Sequence, residues 1–172
     1  MLFMIGCTTV IENAQNTEQP AAIDTASSTW MDITLKDVNT NTEFKISDFR
    51  GKPVLLESFA VWCPTCTRQQ KEIKKLHDEL GDSVISVSID TDPNEDEQKV
   101  IDHASRNGFN WRYAVSPVEL TRSLIDDFGT TVVNAPQVPV ILVCEDGNSH
   151  FLKNGVKDPN FLKQEIAQRC SA

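Results

Sequence analysis

Hydrophobic and polar positions divide the chain into segments of two different periods. Residues 54–60, Val-Leu-Leu-Glu-Ser-Phe-Ala, are almost continuously apolar, as a parallel strand buried on both faces should be. After Cys63 the apolar residues Ile73, Leu76 and Leu80 recur at helical spacing, and Gly81 stands where a helix stops. Residues 83–90, Ser-Val-Ile-Ser-Val-Ser-Ile-Asp, alternate apolar and polar side chains and read as the next strand. Asp92-Pro93, Ser116-Pro117 and Asp158-Pro159 each place a capping side chain before a proline, which marks three further helix starts. Glu95 and Glu119 occupy capping-box positions for the first two, which are predicted to end near Asn107-Gly108 and Phe128-Gly129. Residues 138–155 form a β-rich run, an Asp146-Gly147 turn and a second run, which is a hairpin. The predicted order is strand, helix, strand, helix, helix, hairpin, helix. That is an α/β fold whose central mixed sheet is flanked by helices, parallel first and antiparallel at its end. Residues 30–53 add a short strand, a polar turn and a second short segment, an N-terminal β extension.

Composition sets the limits of this picture. With 172 residues, 40% of them hydrophobic, the chain can bury one core, and residues 30–172 are predicted to form one domain. A formal charge of −9 removes long-range attraction to phosphate backbones, so nucleic-acid binding is not expected. No apolar run is long enough to cross a bilayer. Residues 1–7 end in Gly6-Cys7 after a short apolar run and resemble the tail of a lipoprotein signal, with Cys7 as the lipidated residue. Residues 8–29 are rich in Thr, Asn, Gln, Glu, Ala and Ser and read as a flexible tether. A frayed terminus with an incidental cysteine is the plainer alternative.

Five cysteines are too few for a disulfide-dense scaffold, and only Cys63 and Cys66 are close in sequence. Cys63-Pro64 reads as a capped helix start, with Cys63 as N-cap, Pro64 at the first helical position and Cys66 at the third. Its sulfur then stands where an N-cap oxygen would accept a backbone N–H from Thr65 or Cys66. A thiolate meets that demand better than a thiol. The positive end of the helix and the nearby Arg68 and Lys71 act in the same direction. The spacing lets Cys63 attack a substrate disulfide and Cys66 resolve the mixed disulfide. A structural zinc site lacks two further soft ligands, because His77, His103 and His150 are scattered and Cys144 and Cys170 form no second pair. A purely structural staple across so short a loop would constrain little chain entropy.

Trp62-Cys-Pro-Thr-Cys66 after an apolar strand, with Val138-Pro139 before a later one, resembles the thioredoxin superfamily. The segment from Trp30 and the N-terminus resemble its membrane-tethered, TlpA-like thiol–disulfide oxidoreductases. The resemblance, over residues 30–170, implies a thioredoxin-like fold, an exposed nucleophile at Cys63 and a resolving thiol at Cys66. It implies a cis-proline at Pro139 facing the disulfide, and at Val138 a backbone that pairs with an incoming peptide. Trp62 would shield the site, and Pro64 and Thr65, between the cysteines, would meet the substrate. Glu57, where thioredoxin carries an aspartate, would be a buried carboxyl with a raised pKa that exchanges a proton with Cys66. The alternative for Glu57 is a carboxylate turned to water or paired with a lysine. Two departures bear on the redox potential: Pro64-Thr65 replaces Gly-Pro, and Thr67-Arg-Gln-Gln70 lacks a carboxylate that tethered members often carry.

The activity implied is disulfide exchange with protein partners, by a monomer without cofactor or metal, lipid-anchored outside the cytoplasmic membrane or, if the N-terminus is no signal, cytoplasmic. A peroxiredoxin-like peroxidase would need Thr where Ala60 stands. A copper-delivery protein of related fold would add a histidine near Asn134-Ala-Pro-Gln137, where none occurs. Cys144 reads as an inert core thiol or as the partner of Cys170 in a second disulfide. Trp111 and Tyr113 read as core and edge-strand residues. The acidic run Asp90–Glu97 reads as a helix cap and a solvated face.

Overall fold

The structure is a computed structural model and describes residues 29–170. Cys7 and residues 8–28 of the predicted tether lie outside the described residues.

Among the described residues, seven strands and four α-helices follow one another as β1 (Leu35–Lys36), β2 (Glu43–Phe44), β3 (Val54–Phe59), α1 (Pro64–Leu80), β4 (Ile85–Asp90), α2 (Glu97–Asn107), β5 (Arg112–Val115), α3 (Val118–Phe128), β6 (Val140–Val143), β7 (Ser149–Phe151) and α4 (Pro159–Arg169). The main sheet runs β5-β4-β3-β6-β7. Its first three strands are parallel, and β6 and β7 are antiparallel to their neighbours. This is the mixed sheet that the hydrophobic pattern predicts, and β1 pairs with β2 as the N-terminal extension. The strand missing from the predicted order is β5. It lies at the sheet edge and buries Tyr113, as the reading of Trp111 and Tyr113 as core and edge residues requires.

β3 is central and buried at every residue, which is why its sequence is apolar on both faces. Successive side chains alternate between the faces. Leu55 and Phe59 point into a core shared with Cys66, Ile73 and Leu76 of α1, Val100 and Ala104 of α2 and Leu162 of α4. Val54 and Leu56 point into a second core with Trp30, Leu35, Phe44, Leu120 and Leu124. Glu57, two residues from Leu55 and from Phe59, is therefore committed to the α1 face.

Only one of the three Asp/Ser-Pro helix starts caps as predicted. Asp158 accepts the Phe161 N–H at 2.9 Å, with Pro159 as the first helical residue. Asp92-Pro93 does not begin α2. Asp92 accepts the Asn94 N–H at 2.9 Å and the Trp62 indole N–H at 2.6 Å, and the helix starts four residues later on Asp96, which accepts from Lys99 N at 2.9 Å. Ser116 is held at the sheet end by its N–H to the Asp90 carbonyl, 2.8 Å. α3 thus starts at Val118, with Pro117 as an N-cap that makes no side-chain cap and no capping box to Glu119.

Cys144, just past β6, and Cys170, just past α4, are joined as a disulfide across 4.9 Å between Cα atoms. The bond pins the last helix to the sheet, and its sequence separation of 26 predicts a contribution of about 3 kcal/mol from the constrained unfolded chain. Denaturant unfolding of Cys170→Ser under non-reducing conditions is expected to show that loss. Unchanged stability, with both thiols open to alkylation in the wild type, would contradict the pairing.

Candidate functional site

The site sits where the central strand β3 delivers the chain to α1. Cys63 N–H donates to the Ala60 carbonyl at 3.0 Å, closing a turn that presents Trp62 to solvent, 58% exposed. Cys63 is the N-cap of α1, with extended backbone (φ −85°, ψ 106°) and Pro64 as the first helical residue. Its sulfur accepts the Cys66 N–H at 3.2 Å. Two of the N–H positions at the helix start are thus accounted for: proline removes one donor, and sulfur takes another. Cys63 and Cys66 are joined as a disulfide, with Cα atoms 5.3 Å apart. Cys66 Sγ lies 3.1 Å from the Ala135 carbonyl oxygen, to which the thiol of the reduced pair can donate.

The expected exposure of Cys63 needs correction. Cys63 is 1% exposed and Cys66 fully buried. The reason is the packing around it: Cys63 is joined to Cys66 and belongs to the core cluster that includes Phe59, Ala60 and Ala135. A cleft of about 340 Å³ beside the pair is lined by Ala60, Trp62, Thr91, Asp92, Pro93 and the 133–136 segment. Trp62 is the one expected substrate residue that lines it; Pro64 is exposed and Thr65 half-buried outside it.

Val138 and Pro139 are also placed differently from expectation. No peptide bond among the described residues is cis, so the Val138–Pro139 bond is trans. The chain instead enters β6 through Val138 in the left-handed region, φ 55° and ψ 58°, which β-branched residues rarely adopt. This turn points the backbone of Val138 inward. Its N–H donates to the Ala135 carbonyl at 2.8 Å and its carbonyl accepts Lys157 Nζ at 2.7 Å. Both groups that were expected to pair with an incoming peptide are occupied, and Val138 and Pro139 are buried.

Glu57 is fully buried. Oε2 accepts from Ser88 Oγ at 2.9 Å, and Ser88 Oγ in turn accepts the Trp111 indole N–H at 3.0 Å. Glu57 Oε1 and Gln70 Nε2 are buried without a well-formed hydrogen bond, although the two side chains are close enough to interact. Burial pushes the Glu57 carboxyl up to about 8, against the lowering effects of Gln70, Ser88 and the Lys157 charge. The raised pKa expected from sequence is therefore present, and the carboxyl is turned away from water.

Lys157 and Gln69 are the residues that sequence reasoning missed. Lys157 Nζ donates to Val138 and Gly155 carbonyls, both at 2.7 Å. Its backbone is clamped by Gln69, which accepts Lys157 N–H at 2.7 Å and donates to its carbonyl at 3.1 Å. Burial pulls the Lys157 ammonium down to about 8, opposed by the Glu57 charge. A lysine in a surface-like Gly-Val-Lys-Asp-Pro segment carries no local signal of burial. Among the described residues, no three His, Cys, Asp or Glu side chains are grouped as a metal site.

Residues 25–165 match the redoxin family. A protein of Haemophilus influenzae described as uncharacterized is 39% identical over 51 residues, 30% of this chain. That match spans 32% of the relative's length. The fold is similar to that of a thioredoxin-family thiol:disulfide interchange protein from Chlorobium tepidum, with a TM-score of 0.68 at 16% identity over 81% of this chain and 93% of the other. It is also similar to a secreted Mycobacterium tuberculosis disulfide oxidoreductase homologous to Escherichia coli DsbE, with a TM-score of 0.60 at 20% identity over 81% and 97%. The thioredoxin-like fold implied by the Cys63–Cys66 motif is thereby shown.

Glu57 has a consequence for stability. Its folded pKa of about 8 lies above the ordinary 4.5, so between those values the folded chain holds a proton that the unfolded chain has released. The contribution of this group to stability thus falls as pH rises through that window, by on the order of a few kcal/mol. Denaturant unfolding across pH 4.5–8 is expected to show the wild type losing that amount relative to Glu57→Gln. Parallel stability curves for the two proteins would mean that Glu57 is ionised throughout.

Proposed function

This chain belongs to the redoxin family, and we propose on that basis that it is a thiol–disulfide oxidoreductase acting on protein partners through Cys63 and Cys66. The observation that carries the reading is the Cys63–Cys66 disulfide at the start of α1, with the Cys63 sulfur serving as the helix cap. A disulfide at that place gains a leaving group and nucleophile stabilised by the helix N–H and the positive helix end.

In the reducing direction, the Cys63 thiolate attacks one sulfur of a partner disulfide. A Cys63–partner bond forms, the partner S–S bond breaks, and the first partner sulfur leaves as a thiolate that takes a proton from water. Cys66, whose thiol donates to the Ala135 carbonyl, then passes its proton to the Glu57 carboxylate. Its sulfur attacks Cys63 Sγ and releases the second partner thiolate. The partner gains two electrons and this chain is left as the disulfide; the oxidising direction is the same path reversed. Glu57 suits the proton step because its burial places its pKa near the working pH. Trp62 and the adjoining cleft supply contact surface for the partner.

We place the protein outside the cytoplasm as a monomer, held by a lipid on Cys7. The Cys144–Cys170 bond supports an oxidising compartment. No helix among the described residues is long and apolar enough to cross a membrane, and the polar residues after Cys7 suit a tether.

The test is turnover of a protein disulfide such as that of insulin, with a small thiol as electron donor. Cys63→Ser is expected to lower the rate at least a hundredfold. Cys66→Ser is expected to accumulate a mixed disulfide between Cys63 and the partner. Retention of wild-type turnover by Cys63→Ser would overturn the proposal.

A further inference from the structure

The end of β4 and the loop after it carry a second pair of carboxyl groups, Asp90 and Glu95, next to the active-site turn. Asp90, the last residue of β4, is paired along the sheet with Phe59 of β3 and Val115 of β5 and is 1% exposed. Its Oδ1 accepts the Asp92 N–H at 3.0 Å. Its Oδ2 is buried and has no N–H or hydroxyl donor among the described residues. What stands within hydrogen-bonding reach of this carboxyl is another acid, Glu95. Glu95 Oε2 in turn accepts the backbone N–H of Val61 at 2.6 Å. Val61 lies in the turn closed by the Cys63 N–H to Ala60, two residues before the reactive sulfur.

Two adjacent carboxyls, one buried and the other half-buried, cannot both be ionised at low cost. A single proton resolves the geometry: Asp90 Oδ2–H donates to the Glu95 carboxylate, and the other Glu95 oxygen is left to accept from Val61. We propose that Asp90 and Glu95 share one proton and, through the Val61 amide, act as positioning residues for the turn that presents Cys63. The inference rests on the thiol–disulfide reading for its consequence in exchange, but the proton pair itself does not.

The surroundings agree. Asp92, on the same loop, adds a further negative charge and is engaged by the Trp62 indole and Asn94. Val115 of β5, Ser116 just after it, and Val118, Thr121 and Arg122 of α3 line the adjoining cleft, so that among the described residues Arg122 is the cation that faces it. Among the described residues, neither Asp90 nor Glu95 has an ion-pair partner. Burial, followed by the charges of Glu95 and Asp92, pushes the Asp90 carboxyl up to about 7. Below that value the proton is in place and Val61 is held. Above it, two carboxylates repel each other and Glu95 is driven from the amide.

The direct test follows the Val61 amide by 15N–1H NMR in the oxidised protein, from pH 5 to 9, without any partner. The Val61 resonance is expected to titrate with a midpoint near 7 in the wild type and in Glu57→Gln. It is expected to lose that titration in Asp90→Asn and in Glu95→Gln, the latter keeping an oxygen for the Val61 N–H without the charge. In the exchange assay, an inflection near pH 7 should be present in the wild type and absent from Asp90→Asn. A Val61 amide that does not titrate near pH 7, or that titrates unchanged in whichever of the two variants folds, overturns the proposal. A titrating Val61 in a protein that exchanges no disulfides would instead remove the oxidoreductase reading and leave the shared proton standing.

Discussion

Helix α1 begins with a sulfur atom where most helices place an oxygen, and the 3.2 Å contact from Cys66 N–H to Cys63 Sγ ties the fold to the chemistry. The first turn of any helix leaves backbone N–H groups to be satisfied. Here one is removed by Pro64 and another is given to Cys63. The same contact turns the Cys63 sulfur toward Cys66, and the pair is joined as a disulfide within the core cluster. It depends in turn on β3 lying at the centre of the sheet, because a buried strand end fixes where the helix starts. An oxygen at the cap would satisfy the helix equally well but could not exchange electrons.

Around this contact the structure collects ionisable groups that would be costly elsewhere. Glu57 and Lys157 are both buried, and each is held nearer neutrality than it would be in water. They are tolerated because neighbours meet part of their hydrogen-bonding demand: Ser88 and the Trp111 indole behind it for Glu57, the Val138 and Gly155 carbonyls for Lys157. Lys157 also holds the left-handed turn at Val138. Hydrogen bonds run from Trp111, just before the edge strand, through Ser88 to Glu57, and the Glu57 charge acts on Lys157, which holds the loop before β6.

What was legible in the sequence is whatever local pattern decides. The buried strand Val54–Phe59, the Cys63-Pro64 cap and the Asp158-Pro159 start depend on neighbours within a few residues, and they appear where the pattern predicts. Asp92-Pro93 carries the same local signal and fails, because the Trp62 indole, thirty positions away, and Asn94 take its carboxylate. Ser116-Pro117 fails because a sheet hydrogen bond to Asp90 fixes the backbone first. Strand β5 is short, and its place in the sheet is set by pairing with β4 rather than by its own four residues. Val138-Pro139 looks like a family feature, yet here the chain turns through a positive φ at Val138, and Lys157 stabilises that solution from far along the sequence. Glu57 could be suspected because a carboxylate inside an apolar run is anomalous. Lys157 and Glu95 could not, since lysine and glutamate in polar segments are the ordinary case.

In the reduced protein, a Cys63 sulfur that caps α1 should be stabilised as a thiolate. Site-specific alkylation of the reduced protein as a function of pH, with Cys63 and Cys66 resolved by peptide mass, measures this directly. The account predicts that Cys63 titrates below the free-cysteine value of about 8.5 and well below Cys66. A Cys63 that titrates at or above that value, or above Cys66, would contradict it.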